Sequence, residues 1–458
     1  MNVFRAAARL VRKPRVPSAK QPDEPNQLAG PSTLTTLPTS LLTHIALFLP
    51  DIADVVHYVQ ALHLSSLDPL IHLGHSHAKS DLWPALRLRH ATDLKNLHIL
   101  ALLKVHGLRV ELCDGVVDLK KLQPLLSPST QVVVTSVPAQ LTKKSTHDDW
   151  FTQLATLPVV GLVWPTDRRT RPDLLLRHLP RLVHLHTLVL DSVDECLGAV
   201  LAFLPSSSIV SLDLALSSVR LDESVERRRR RRVIRRSASS PPPPLSPAML
   251  HHVVQWLETH AVRRFLVRCT DFDVNATTKP LFHALAGAPA LTDLAIGDMD
   301  VAHVLRGLYF PLPCSLRRLT LVNAHFATGT GMWLANVVDG ATYLTELVLS
   351  AVTMEEMDEW TYLYEVLPRS SITSLTIVGC DLANQDCRHL AVHLPRSSVT
   401  YVDISNNAHV STKGLWALEY AVPNVIVVSK EHGAPKTPSL VRHVMGHPTM
   451  NSLTSFAG

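Results

Sequence analysis

Nine side chains stand at matched places in short apolar segments along the chain: Asp191, Asp213, Arg264, Arg268, Asp293, Arg318, Glu346, Tyr401 and Asp403. Thr187, Thr320, Ser374 and Thr376 are interleaved with them. Both signs of charge separated by hydroxyls suit recognition of another protein, because charge complementarity decides which partner docks and in what register. The set leans acidic, with a basic patch at Arg264, Arg268 and Arg318. Groupings that could make or break bonds are weaker. His72, His75 and His77 are dense enough to hold a metal. No cysteine stands beside them and the chain carries 25 histidines, so loop histidines are the plainer reading. Cys269 and Cys314 flank apolar segments with no identifiable acid–base partner, which makes them structural thiols. Gly329-Thr330-Gly331 lacks the third glycine of a dinucleotide fingerprint, and no Walker, Gly-x-Ser-x-Gly or His-Glu-x-x-His motif is present. We therefore expect no catalytic residue, no metal and no cofactor, and a protein that is not an enzyme.

The segments that carry these side chains share an apolar residue at positions 1, 4 and 6. They are Val159/Leu162/Trp164, Leu185/Leu188/Leu190, Ile209/Leu212/Leu214, Val262/Phe265/Val267, Leu291/Leu294/Ile296, Leu316/Leu319/Leu321, Leu344/Leu347/Leu349, Ile372/Leu375/Ile377 and Val399/Val402/Ile404. Their starts are 26, 24, 53, 29, 25, 28, 28 and 27 residues apart. Side chains alternate along a strand, so if 4 and 6 enter a core, 3, 5 and 7 face the other way, and those are the positions of the nine residues above. Leu367-Pro-Arg-Ser-Ser, Leu394-Pro-Arg-Ser-Ser and Leu204-Pro-Ser-Ser-Ser each close a helix-like stretch just before a segment of this kind. Leu108–Leu112 and Val132–Val134 read as degenerate upstream copies, and Val425–Val428 as a closing strand.

A period of 24–29 residues resembles that of leucine-rich repeats. Ile372-x-x-Leu375-x-Ile377-x-x-Cys380-x-Leu382 matches the longer repeat pattern throughout, and Asn407 takes the Asn/Cys position of the next copy. Ala324, Val352, Met299 and Thr270 stand there elsewhere, so most of the asparagine ladder is missing. Glu355–Leu367, Asn384–Leu394 and Ser411–Tyr420 have helical spacing after their strands. The resemblance implies an α/β leucine-rich-repeat solenoid, a horseshoe of the ribonuclease-inhibitor type. A parallel sheet would line its concave face, helices its convex face, and a protein target would sit on the concave face.

The 53-residue interval holds an insertion and hides no lost repeat. After Leu214 come Glu226, six arginines, Val-Ile-Arg-Arg and four prolines. A helix with Ser246 as its cap and Pro247 in its first turn then follows. Residues of about 218–245 cannot bury a core and are expected to be disordered, with a nuclear-localisation or anion-binding role open to them. The arginine run contributes eight cations and residues 1–20 six more; removing these 14 from the net +5 leaves a formal −9 elsewhere. No nucleic acid is therefore expected on the folded body.

Upstream of the repeats, residues 36–95 read as a small helical module. Leu37, Pro38, Leu41, Leu42, Ile45 and Leu49 match the opening pattern of the F-box in register, and Asp81-Leu82-Trp83 matches its close. Ser40 and Ala46 depart from it, and no Cys-Lys-x-Trp core follows. The resemblance implies docking on a Skp-type adaptor and, joined to leucine-rich repeats, a substrate-recognition subunit of a cullin-type ubiquitin ligase. The alternative is a helical cap on the first layer of the solenoid.

Residues 1–35 form a basic tail and Pro-bearing linker. Arg5, Arg9 and Arg12 at helical spacing also suit a mitochondrial transit peptide. Two further functions thus stay open: a mitochondrial repeat scaffold, and an inhibitor- or sensor-like repeat protein without a ligase link. Six cysteines without a Cys-x-x-Cys pair point to a reducing compartment, cytoplasmic or nuclear by default. No apolar run is long enough for a membrane span, so no membrane partner is expected. The repeats are expected over residues 100–430, with a short cap and tail over 431–458.

Overall fold

The computed structural model describes residues 37–429, apart from 48, 50–51, 74–81, 91–92, 106, 117, 139–145, 165–171, 192–195, 216–244, 269–278, 298–311, 327, 357 and 423–424. The basic tail, the arginine and proline runs, His75, His77, Cys269 and the C-terminal tail lie outside the described residues. The described residues fall into two compact units, one ending at Leu162 and one beginning at Val163.

The first unit opens with three helices, α1 Thr39–Leu47, α2 Ile52–Leu62 and α3 Asp68–Leu73. Leu64, Leu67, Leu70 and Leu73 recur every third residue, and all four are fully buried together with Val55 and Val59. Trp83 folds back on α1, donating from its indole Nε1 to the carbonyl of Leu49 at 2.7 Å. The segment read from sequence as helical also supplies the first strand, β1 Leu86–His90. It pairs in parallel with β2 Arg109–Gly115, β2 pairs with β3 Gln131–Val134, and β3 pairs with β4 Val159–Trp164. The register slips between Leu88 and His90 and again between Val132 and Val133. Helices α4 Leu97–Leu102, α5 Leu119–Leu122 and α6 His147–Leu154 connect the strands. The last is held by a reciprocal cap between Thr146 and Asp149. Its buried Trp150 donates to the carbonyl of Val116 at 3.2 Å.

The second unit is an α/β leucine-rich-repeat solenoid. Its strands are β5 Thr187–Asp191, β6 Ser211–Ala215, β7 Arg264–Arg268, β8 Asp293–Gly297, β9 Arg318–Val322, β11 Glu346–Ser350, β13 Ser374–Val378, β14 Tyr401–Asp403 and β15 Ile426–Val428. Two-residue strands β10 His325–Phe326 and β12 Thr353–Met354 pair with each other at the ends of two of these turns. The helices between are α7 Pro172–His178, α8 Leu197–Phe203, α9 Pro247–Thr259, α10 Lys279–Gly287, α11 Thr330–Gly340, α12 Glu359–Val366, α13 Asn384–His393 and α14 Thr412–Ala421. Each long strand pairs in parallel with the next in chain order. Such crossovers are right-handed, which puts the described helices of this unit on one face of its sheet and leaves the other face helix-free among the described residues.

The register sets like position beside like. Leu212, Phe265, Leu294, Leu319, Leu347, Leu375 and Val402 form one buried row. Burying such a side chain stabilises by about 1.5–3 kcal/mol, so these rows are the main adhesive of the stack. Ser211 pairs directly with Arg264, although 53 residues separate their repeat starts. Ser246 caps α9 by accepting from the Met249 N–H at 3.3 Å, with Pro247 as its first residue.

The Leu-Pro-x-Ser-Ser segments turn the chain in the same way each time. Leu-Pro-x forms a short 3-10 turn at 204–206, 367–369 and 394–396. The next serine then donates its hydroxyl to the leucine carbonyl and accepts from the N–H two residues on. For Ser207 the distances are 2.7 and 3.2 Å, for Ser370 3.0 and 3.4 Å, and for Ser397 2.8 and 3.3 Å. After the strand, position 8 enters the left-handed region in four repeats: Asn323, Ala351, Gly379 and Asn406 have φ of 48, 52, 64 and 62°. Asparagine and glycine tolerate that backbone, whereas alanine is strained by it.

Candidate protein-binding surface

Position 3 of the strands forms one row across the helix-free face. From β6 to β14 it runs Ser211, Arg264, Asp293, Arg318, Glu346, Ser374 and Tyr401. Strands about 4.8 Å apart bring unlike charges in this row within reach of each other. Arg318 donates from Nε and Nη2 to Glu346 Oε2, both at 2.8 Å, and its Nη1 lies 3.5 Å from Asp293 Oδ1. The other oxygen of Asp293 accepts from the Thr292 hydroxyl at 2.7 Å. Arg318 is therefore neutralised in place, and the expected basic patch loses that member. Tyr401 stands in register with Ile426 of the last strand. Burial first, and then the carboxylates of Asp403 and Glu346, push its phenol up to about 12.

Position 5 does not meet the expectation of a solvated row. Leu266, Ala295, Thr320, Thr376 and Asp403 are all buried there, and Asp213 is half-buried. In-register packing covers the middle row with its neighbours on adjacent strands and with the rows at positions 3 and 7. Asp403 is 8% exposed, and its Oδ1 accepts from the Ser405 N–H at 2.9 Å. It is bonded to the backbone just past the end of its own strand. At position 7, Arg268 is half-buried on β7, and Asp191 belongs to β5.

The first unit repeats this chemistry at residues that sequence reading passed over. Arg87 of β1 is in register with Glu111 of β2, and its Nε donates to Glu111 Oε2 at 2.8 Å. Arg109 Nη2 lies 3.8 Å from the other oxygen of Glu111. The signal was available in the alternation of Leu86-x-Leu88 and Val110-x-Leu112, which places Arg87 and Glu111 on one face.

The F-box-like residues separate into two groups. Leu42 and Ala46 enter the core of the three-helix module at 6% and 0% exposure, while Leu41 is 46% exposed. Ile45, one turn after Leu41, is half-buried, as are Leu37 and Leu49, and Pro38 is exposed. Helix α1 thus exposes Leu41, with Ile45 half-buried one turn on, and buries Leu42 and Ala46.

Gly329-Thr330-Gly331 does resemble an anion site, since it opens α11 with free backbone N–H groups. Glu359, the first residue of α12, already fills it: its carboxylate is buried and accepts from the N–H of both Gly329 and Gly331. A Cβ on Gly331 would lie 2.6 Å from the Glu359 carbonyl, so glycine is needed for this approach. Asn407 has the analogous task on the strand side. Its Oδ1 accepts from Cys380 N–H at 2.8 Å and Leu382 N–H at 3.2 Å, and its Nδ2 donates to the carbonyls of Ile377 and Ile404 at 2.7 and 2.8 Å. One repeat earlier, Cys380 Sγ accepts from Val352 N–H and donates to the carbonyl of Leu349, both at 3.4 Å. Burial pushes the thiols of Cys380 and Cys387 up to about 12, which suits structural cysteines. Cys314 is exposed. His72 stacks on His98 at 4.8 Å, and no group of three metal-ligating side chains occurs among the described residues. No described helix is long and apolar enough to cross a membrane.

No family model matches this sequence, and no curated protein matches it. Among solved structures, the chain is similar to a chain of the yeast Rad7 and Elc1 complex (TM-score 0.49, 15% identity, 90% of this chain and 97% of that one). It is also similar to a chain of the TLR13–ssRNA13 complex (TM-score 0.35, 13% identity, 72% of this chain and 47% of that one). Both scores lie below 0.5, and the repeat fold rests on the register, buried rows and turns described above.

Proposed function

We propose that the protein is a non-enzymatic interaction adaptor with two docking surfaces. In this reading the outward edge of α1 binds a Skp-type adaptor, and the helix-free face of the second unit holds a target protein. That makes the chain a substrate-recognition subunit of a cullin-type ubiquitin ligase. One observation carries the reading: Leu41 is exposed, and Ile45 one turn on is half-buried, on a three-helix module that has a buried core of its own. A helix whose only task was to cap the solenoid would turn its large apolar side chains inward. The polar row at position 3, offered on a sheet face with no helix, supports the second surface.

The test is copurification with the cognate Skp-type adaptor. Full-length protein retains it, and Leu41→Asp with Ile45→Asp loses it. Leu41→Asp alone, at the more exposed position, guards against misfolding of the double variant. No copurification from a source that supplies the adaptor rejects the ligase reading. A mitochondrial scaffold is the second reading, favoured by Arg5, Arg9 and Arg12 at helical spacing in an acid-free leader. Organelle import of a C-terminally tagged chain that vanishes on deleting residues 1–20 supports it.

A further inference from the structure

The charge on the helix-free face is unevenly spent. From β8 to β11, and on β14, it is bound up internally, in the Asp293–Arg318–Glu346 ladder and in the Asp403–Ser405 bond. On β7 it is not. Arg264 and Arg268, both half-buried, stand on one strand at positions 3 and 7. Neither has a carboxylate within ion-pair distance among the described residues. Asp293, in register with Arg264, has both oxygens engaged, one by Arg318 and one by Thr292. Arg268 is also held in place. The Cβ that Gly297 lacks would lie 2.9 Å from Arg268 Cγ, so the arginine stem crosses the neighbouring strand in the space glycine leaves.

We propose that these two guanidinium groups are the recognition point of the face, and that they take an acidic, extended segment of the partner protein. The inference rests on the reading of this face as a protein-binding surface and names the chemistry of its partner. Positions 3 and 7 of one strand are four residues apart, about 13 Å at the rise of a strand. An extended peptide with carboxylates at i and i+4 presents the same spacing on one side. Two guanidinium groups this far apart on one strand match two discrete carboxylates of an acidic protein segment better than the closely spaced phosphates of a nucleic-acid backbone.

The probe is a fluorescein-labelled peptide Thr-Glu-Thr-Val-Thr-Glu-Thr, followed by anisotropy on the full-length chain. Its controls are the peptide with both glutamates changed to glutamine, one with the glutamates adjacent, and oligothymidylate. The arginine run at 227–232 is common to all proteins compared, so the site is read from the difference between parent and variant. A charge-assisted contact is worth about 1.5–3 kcal/mol, so Arg264→Gln and Arg268→Gln are each expected to weaken the spaced-glutamate peptide about ten-fold or more. The adjacent-glutamate peptide is expected to bind more weakly, and the glutamine peptide not at all. A peptide that fails to bind, or binds the Arg264→Gln/Arg268→Gln variant as it binds the parent, overturns the proposal. Oligothymidylate losing affinity in that variant while the peptide does not bind would reassign the patch to nucleic acid. Ser374→Arg on β13, away from the patch, separates this proposal from the reading it rests on. If Ser374→Arg blocks capture of the native target and Arg264→Gln/Arg268→Gln does not, the face binds protein but not by this chemistry. If neither variant affects capture, both readings fall.

Discussion

The late repeats and the first unit reach the same parallel stacking by different means. From Leu316 to Val410 the register is unbroken and each turn has a left-handed residue at position 8, and the last two repeats add side-chain bonds from Cys380 and Asn407 into the backbone one repeat earlier. In the first unit the register slips twice, and the strands are held by buried leucines, by Trp83 and Trp150 on nearby carbonyls, and by the Arg87–Glu111 pair. A repeat held by hydrogen bonds at fixed positions cannot shift without losing them all. One held by packing and scattered polar contacts can absorb irregular lengths. The difference explains why the leucine spacing is regular late in the chain and blurred at its start.

The comparison breaks most severely at Asn407. Asn407→Ala is expected to cost about 3 kcal/mol, because it strips partners from buried backbone groups of two repeats. Urea unfolding followed by circular dichroism measures this, and no equally placed single polar side chain is expected to matter as much in the first unit. Gly331→Ala forces a methyl group against the Glu359 backbone and is expected to cost about 2 kcal/mol by the same measurement.

Alkaline pH separates the regions without mutation. Cys380 and Cys387 have folded-state values raised by burial to about 12, and burial raises the Tyr364 phenol well above its usual range. A group raised on folding stabilises the neutral state fully below its unfolded value, and that contribution is lost as pH rises through the folded value. Stability of the late repeats is therefore expected to fall between the ordinary thiol range and pH 12. Hydrogen exchange at increasing pH, corrected for the intrinsic rate, locates the loss, and Cys380→Ala removes its share. The smallest effect runs the other way. Ala351→Gly relieves a residue at φ 52° and is expected to stabilise by about 0.5–1 kcal/mol, seen as a shift of the urea midpoint.

Much of this organisation was legible in the sequence because a stacked repeat turns position number into spatial neighbourhood. The 1-4-6 leucines located the strands, and position 3 located the charged row. The direct step from β6 to β7 was readable from the single 53-residue interval, one repeat plus an insertion. What escaped depends on neighbours a whole repeat away. Whether position 5 is solvated depends on side-chain bulk on both flanking strands, so Asp403 looked exposed and is buried. Arg318 looked like a free cation because its two carboxylates sit 25 and 28 residues from it in sequence. Glu359 carries no signal in the sequence, and only the packing of α12 on α11 shows that it fills the glycine-flanked helix start.

The central claim is that two separate surfaces dock two separate partners, and calorimetric titration of the purified chain with its Skp-type adaptor tests it most directly. The account predicts that the adaptor binds the parent and the Arg264→Gln/Arg268→Gln variant alike, and fails to bind folded Leu41→Asp. An adaptor that does not bind the parent, or that binds Leu41→Asp as tightly as the parent, would contradict it.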